Sequence, residues 1–193
     1  GAAPDPEGPR LVSVALTATY CGSSVCSGEL ALELAQRWVE RSVTAIEVTA
    51  VLWPMATGKT PPPAGLTPGG AVPAGCHAVT AQIDFAGREP STTTAGAAVL
   101  GLDDNGQPIV GPVAAKQSEA GRRYRLTVPT PGLDFSGVTR CGVQVWARAR
   151  LAIHPAPTDW APGPGSPAIA VCASPVPIMP VPPPLPPGVP LGS

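Results

Sequence analysis

The chain has 193 residues, 44% of them hydrophobic, enough for one domain with a real core and too few for two. Its 12 basic and 13 acidic residues nearly cancel, which argues against a nucleic-acid binder built on many phosphate contacts but leaves room for a weak inner basic surface. No apolar run approaches the ~20 residues that span a bilayer.

Pro and Gly are abundant, 28 and 22, but 14 of the prolines fall from Pro155 onward, so the excess belongs mostly to a C-terminal segment. Three parts follow: an N-terminal arm over residues 1–10, a sandwich domain over 11–155, and a Pro-rich extension over 156–193. The arm is polar, with Asp5 and Glu7 against Arg10. Leu11 to Tyr20 alternates Val12, Val14, Leu16, Ala18 and Tyr20 with Ser13, Thr17 and Thr19, the pattern of a strand with one buried face.

From Glu29 the spacing changes. Leu30, Leu34 and Trp38 recur at helical intervals beside Ala31 and Ala35, with Glu33, Arg37, Glu40 and Arg41 on the other side, so a short amphipathic helix capped by Ser27 is expected. It runs into a strand from Thr44, with Ile46, Val48, Ala50 and Leu52 on one face and Ala45, Glu47, Thr49, Val51 and Trp53 on the other. Pro54 stops that strand, because it cannot donate to a ladder. About twenty Pro- and Gly-rich residues follow, a length typical of functional or interface loops.

Ala78 to Phe85 alternates again, and the polar REPSTTTAG after it suits a turn or short helix. Ala97 to Leu102 and Pro108 to Val113 flank Asp103-Asp104-Asn105-Gly106, a strong hairpin signal. Arg123 to Val128 forms a strand closed by PTPG. Cys141 to Ile153 forms the last long one, with Val143, Val145, Ala147, Ala149, Leu151 and Ile153 inward and Gln144, Trp146, Arg148 and Arg150 outward. Ala168 to Ala173 can add an edge strand. The tail beyond reads as polyproline II, and because it is uncharged and carries Val, Ile, Met and Leu it is expected to lie against protein.

Chemistry is sparse. Gly58-Lys59-Thr60 lacks the earlier Gly of a phosphate loop, where Trp53 stands. Cys76 and His77 with Cys21 and Cys26 are too loosely spaced for zinc. His77 and His154 lie in no active-site-like loop, and Ser23 and Ser24 lack the glycines of a nucleophile elbow. No acid, base and nucleophile set emerges, so a non-enzymatic role without cofactor or metal is expected. The odd count of five cysteines, Cys21, Cys26, Cys76, Cys141 and Cys172, favours free buried thiols in a reducing compartment. Pairings such as Cys21 with Cys26 or Cys76 with Cys141 stay open.

Two stretches, ALELAQRWVERSVTAIEVTAVLWP and RRYRLTVPTPGLDFSGVTRCGVQVWARARLAIHP, together with the order of elements between them, resemble the shell domain of small icosahedral RNA-virus coat proteins, and are most similar to tymovirus-like ones. That resemblance covers residues 11–155. It implies an all-β, antiparallel, eight-stranded jelly roll with one short helix in an early connection. It also implies a capsid subunit that associates with copies of itself into a closed shell around genomic RNA, in a virion assembled in the host cytoplasm without a membrane. Arg122, Arg123 and Arg125 are then the candidate RNA-facing residues, and Trp53 and Trp146 the candidate subunit contacts. The alternative is a secreted immunoglobulin-like β-sandwich from a GC-rich bacterium, serving as a surface, adhesion or pilus-like module. A count of free thiols separates the two.

Overall fold

The computed structural model describes residues 8–21, 24–37, 43–55, 62–86, 89–117, 121–135, 140–152, 154–161 and 168–171. Alternating apolar residues build eight strands: β1 (Arg10–Cys21), β2 (Ser24–Gln36), β3 (Val43–Met55), β4 (His77–Asp84), β5 (Ala98–Leu102), β6 (Arg122–Phe135), β7 (Arg140–Leu151) and β8 (Ala168–Val171). A single helical turn, α1 (Val113–Lys116), precedes β6. The strands form two antiparallel sheets, in the orders β1-β2-β6-β5 and β4-β3-β7-β8, and face each other as a β-sandwich.

The core lies between the sheets. Leu30, Leu32 and Leu34 of β2 and Tyr124, Leu126 and Val128 of β6 point into it from the first sheet. Ile46, Val48, Ala50 and Leu52 of β3, and Val143, Val145, Ala147 and Ala149 of β7, point in from the second. Burying a side chain of this size contributes roughly 1.5–3 kcal/mol. Phe85, just past β4, meets Tyr124 across the interface with ring centroids 5.1 Å apart and planes tilted by 56°, within the range favoured by aromatic pairs.

The helix expected after Ser27 is a strand. Glu29, Ala31, Glu33 and Ala35 alternate with Leu30, Leu32, Leu34 and Gln36, and the second set is buried. Leu30 and Leu34 fit a period of four as well as a period of two. Leu32, which the helical reading leaves on the polar side, decides for the strand. Paired along its length by β1 and β6, β2 satisfies its backbone through neighbours on both sides. Trp38 and the rest of the expected helix lie outside the described residues.

Other boundaries move for local reasons. A register shift between Leu11 and Ser13 changes the inward set of β1, so Leu11, Val14 and Leu16 pack against the core and Val12 is exposed. PTPG does not close β6, which continues to Phe135. The pairing of β5 ends at Ala98↔Thr127, so Pro129 and Pro131 sit where β6 has an open edge that tolerates a missing donor. The Asn105-Gly106 turn forms, with Gly106 at φ 79° and its N–H donating to the Asp103 carbonyl at 3.0 Å. Its returning arm shrinks to one bridge, Leu102↔Pro108. The 62–76 part of the long loop contains neither helix nor strand.

The strand order differs from the jelly roll. In an eight-stranded jelly roll the first strand pairs with the last and the second belongs to the opposite sheet. Here β1 is bonded to β2, and β4 lies beside β3 in the opposite sheet.

The cysteines also depart from expectation. Cys26 and Cys141 are each in a disulfide, and Cys76 is a free, half-buried thiol. A fully reduced set is therefore overturned, and so is a Cys76–Cys141 pair. Among the described residues no helix is long and apolar enough to cross a membrane.

Candidate functional site

Strands β3 and β7 are the middle of the second sheet, so their outward side chains form the centre of its second face. Register sets them in rows across three strands: Asp84, Ala45 and Arg150; Gln82, Glu47 and Arg148; Thr80, Thr49 and Trp146. Glu47 lies between two arginines. Its Oε2 accepts from Arg148 Nε at 3.0 Å, and its Oε1 accepts from Arg150 Nε. Burial on its own raises the carboxyl pKa, but the hydrogen bonds from Arg150 and Arg148, with their charges, outweigh it and hold Glu47 below the ordinary carboxylate value.

Trp160 completes the face. After β7 the chain turns back along that strand. Thr158 N–H donates to the Ala149 carbonyl at 2.9 Å, and Ala161 and Ala147 exchange two bonds of 2.8 Å. Thr158 Oγ1 accepts from Ala149 N–H at 2.9 Å. Trp160 is thereby fixed over the sheet, with the Arg148 guanidinium carbon 4.3 Å from its ring centroid, a cation–π contact.

On the other side the edge of β4 is finished by hydroxyls. Thr92 Oγ1 donates to the Gln82 carbonyl at 2.7 Å, and Thr94 Oγ1 accepts from Gln82 N–H at 3.2 Å. Between these walls lies a groove of about 480 Å³, bordered by Glu47, Thr49, Thr80, Gln82, Arg148 and Trp160. A second hollow of about 440 Å³ shares Trp160 with the groove and is lined also by His154, Thr158 and Asp159.

The structure separates the three candidate arginines. Arg122 points inward and is 1% exposed. Arg123 and Arg125 lie on the outer face of the first sheet. Arg123 Nη2 is 2.6 Å from Glu33 Oε1, and Arg123 Nη1 donates to the Asp104 carbonyl at 3.0 Å. Arg125 Nη2 donates to the Gly106 carbonyl at 3.3 Å. One pair of neighbours thus braces the hairpin turn, while the third is sequestered behind them.

Trp53 and Trp146 lie on the outer face of the second sheet, yet both are buried within the single chain. The Trp53 indole covers Gly142, its cross-strand partner. A Cβ at Gly142 would stand 2.4 Å from Trp53 Cε2, so this ring position requires glycine opposite it.

Gly58-Lys59-Thr60, Ser23, Cys172 and the Pro-rich stretch from 172 lie outside the described residues. His77 is half-buried and His154 exposed, and among the described residues no cluster of three His, Cys, Asp or Glu could hold a metal ion. Trp160 and the threonines at 92–94 carry the groove without having been singled out in the sequence. The signal was a lone Trp in TDWAP following the last long periodic strand, and a run of four hydroxyl residues, Ser91 to Thr94. No protein-family model matches the chain, and comparison with characterised proteins finds no significant match.

Proposed function

We propose that this chain is an immunoglobulin-like module that works outside the reducing cytosol and binds a partner through the outer face of its second sheet. The observation that carries this reading is the cysteine chemistry. Cys26 and Cys141 are disulfide-bonded, and disulfides persist in secreted and surface proteins but rarely in cytosolic ones. Strand order supports it. Lettered in chain order as A, B, C, C′, D, E, F and G, the sheets run A-B-E-D and C′-C-F-G, the immunoglobulin arrangement with one variable-type strand added. Arg123 and Arg125 are engaged with Glu33 and the turn, which leaves them poorly placed as an RNA-facing patch.

The competing reading is the capsid subunit, which rests on the resemblance in residues 11–155. Thiol titration of the denatured, unreduced protein tests the choice, joined to size-exclusion chromatography. The module gives one reactive thiol, Cys76, and a small particle. Five reactive thiols, or large symmetric shells by electron microscopy, would return the coat protein.

A further inference from the structure

We propose that the groove beside Trp160 binds a neutral oligosaccharide, a proposal that names the partner class for the binding face inferred above and rests on that reading. The argument begins with what the groove offers. Thr49, Thr80 and Thr93 border it, and their hydroxyls hold no hydrogen bond among the described residues, while Thr49 is 95% withdrawn from solvent. A hydroxyl is donor and acceptor at once. A row of uncommitted hydroxyls therefore matches a ligand whose edge is itself hydroxyls, and a sugar ring is such a ligand.

Charge points the same way. Asp84 and Glu47 on this face are cancelled by Arg148 and Arg150, with both arginines donating to Glu47 and Asp84 Oδ1 accepting from Gln82 Nε2 at 2.6 Å. Within the groove itself Glu47 and Arg148 balance, so little field remains there to select an anion or a cation, and Asp159 adds a negative charge only in the second hollow. The ion pairs still present polar atoms at the groove wall, so specificity can come from hydrogen-bond geometry.

Trp160 supplies the apolar part. Its indole borders both the 480 Å³ groove and the 440 Å³ hollow, so a ligand extended over the ring meets polar groups of both, Thr80 and Gln82 in the first, His154 and Asp159 in the second. The ring is held by Arg148 at 4.3 Å and by the backbone bonds of Thr158 and Ala161 to β7. A fixed indole can contact the C–H surface of a sugar at little ordering cost. Two hollows that share one aromatic ring suit a chain of sugars better than a single one.

The experiment uses the whole chain and four probes, cellotetraose, chitotetraose, maltotetraose and the acidic tetragalacturonate, read by isothermal calorimetry and tryptophan fluorescence. At least one neutral tetrasaccharide binds more tightly than about 10 mM. Trp160→Ala weakens that binding at least about tenfold, and Thr80→Val, which removes one exposed hydroxyl and keeps the shape, weakens it by about threefold to tenfold. Arg125→Ala, on the opposite sheet, leaves it unchanged. Circular dichroism confirms that each variant folds, and Thr80→Val carries the test if Trp160→Ala does not fold.

The proposal is overturned if no neutral probe binds, if only tetragalacturonate binds, or if a folded variant at Trp160 or Thr80 binds as the parent does. None of these outcomes touches the thiol count or the particle size, so failure of the ligand class stays distinct from failure of the extracellular reading.

Discussion

Both sheets carry a carboxylate bonded to arginine on the face turned from the core, and the two faces are finished differently. On the first sheet Glu33 and Arg123 pair beside a turn whose Asp104 and Gly106 carbonyls accept from Arg123 and Arg125. On the second, Glu47 and its two arginines border Thr49, Val51, Trp53 and Trp146, all of them buried although they face outward. One face braces its charges with its own connecting turn and leaves the outward residues around them, Glu29, Ala31, Ala35 and Thr127, at least partly exposed. The other combines paired charge with large rings and a groove, a composition that costs more to maintain and offers more to a ligand.

The sharpest way to break that contrast is Trp53→Ala, which empties a buried site and should destabilise the protein by about 3–5 kcal/mol in denaturant melts. Trp53→Phe should cost far less, since the Trp53 Nε1 hydrogen has no partner to lose. Gly142→Ala acts on the same contact from beneath. Its new methyl would meet the indole at 2.4 Å, and overpacking of this kind costs about 1–3 kcal/mol.

Glu47→Gln comes next, at about 1 kcal/mol, because Arg150 is half exposed and solvent screens its pairing. Its sharper signature is in pH. The folded pKa of Glu47 lies below its ordinary value of 4.5, so the folded state binds fewer protons there than the unfolded one. The stabilisation is complete above 4.5 and is lost as pH falls through the folded pKa. Melts of the parent should therefore show an acid limb below about pH 4.5 that flattens in Glu47→Gln. Arg123→Ala, on the other face, should cost about 1 kcal/mol, because Arg123 keeps about a quarter of its side chain in solvent that screens the pair, and high salt should shrink the difference further.

Much of the sandwich was legible in the chain. The alternation in β3 and β7 places Val48, Leu52, Val145 and Ala149 inward as the sequence predicts, because a half-buried strand has only one way to hide its apolar set. The stretch over β2 misled because Leu30 and Leu34 satisfy two periods, and the long-range pairing to β1 and β6 that selects one of them has no local signature. The arginine cluster misled for a related reason. Arg122 and Arg123 are adjacent in sequence, so in a strand they must point to opposite sides, and only Arg123 shares a face with Arg125. The groove was the least visible feature. It depends on a chain reversal after β7 that brings Trp160 over Arg148, two residues twelve positions apart with no shared periodicity.

That reversal has a further effect on how the molecule meets its own kind. The outer margin of β7 is occupied by β8 along Gly142 to Val145 and by Thr158 and Ala161 at Ala149 and Ala147. A passing polypeptide therefore cannot pair with β7 itself, and the edge on that side is reduced to the four residues of β8. Growth into ordered fibres along the length of β7 is blocked by the chain itself, with the same reversal that holds Trp160 in place, and a very short edge strand is a poor template for what remains.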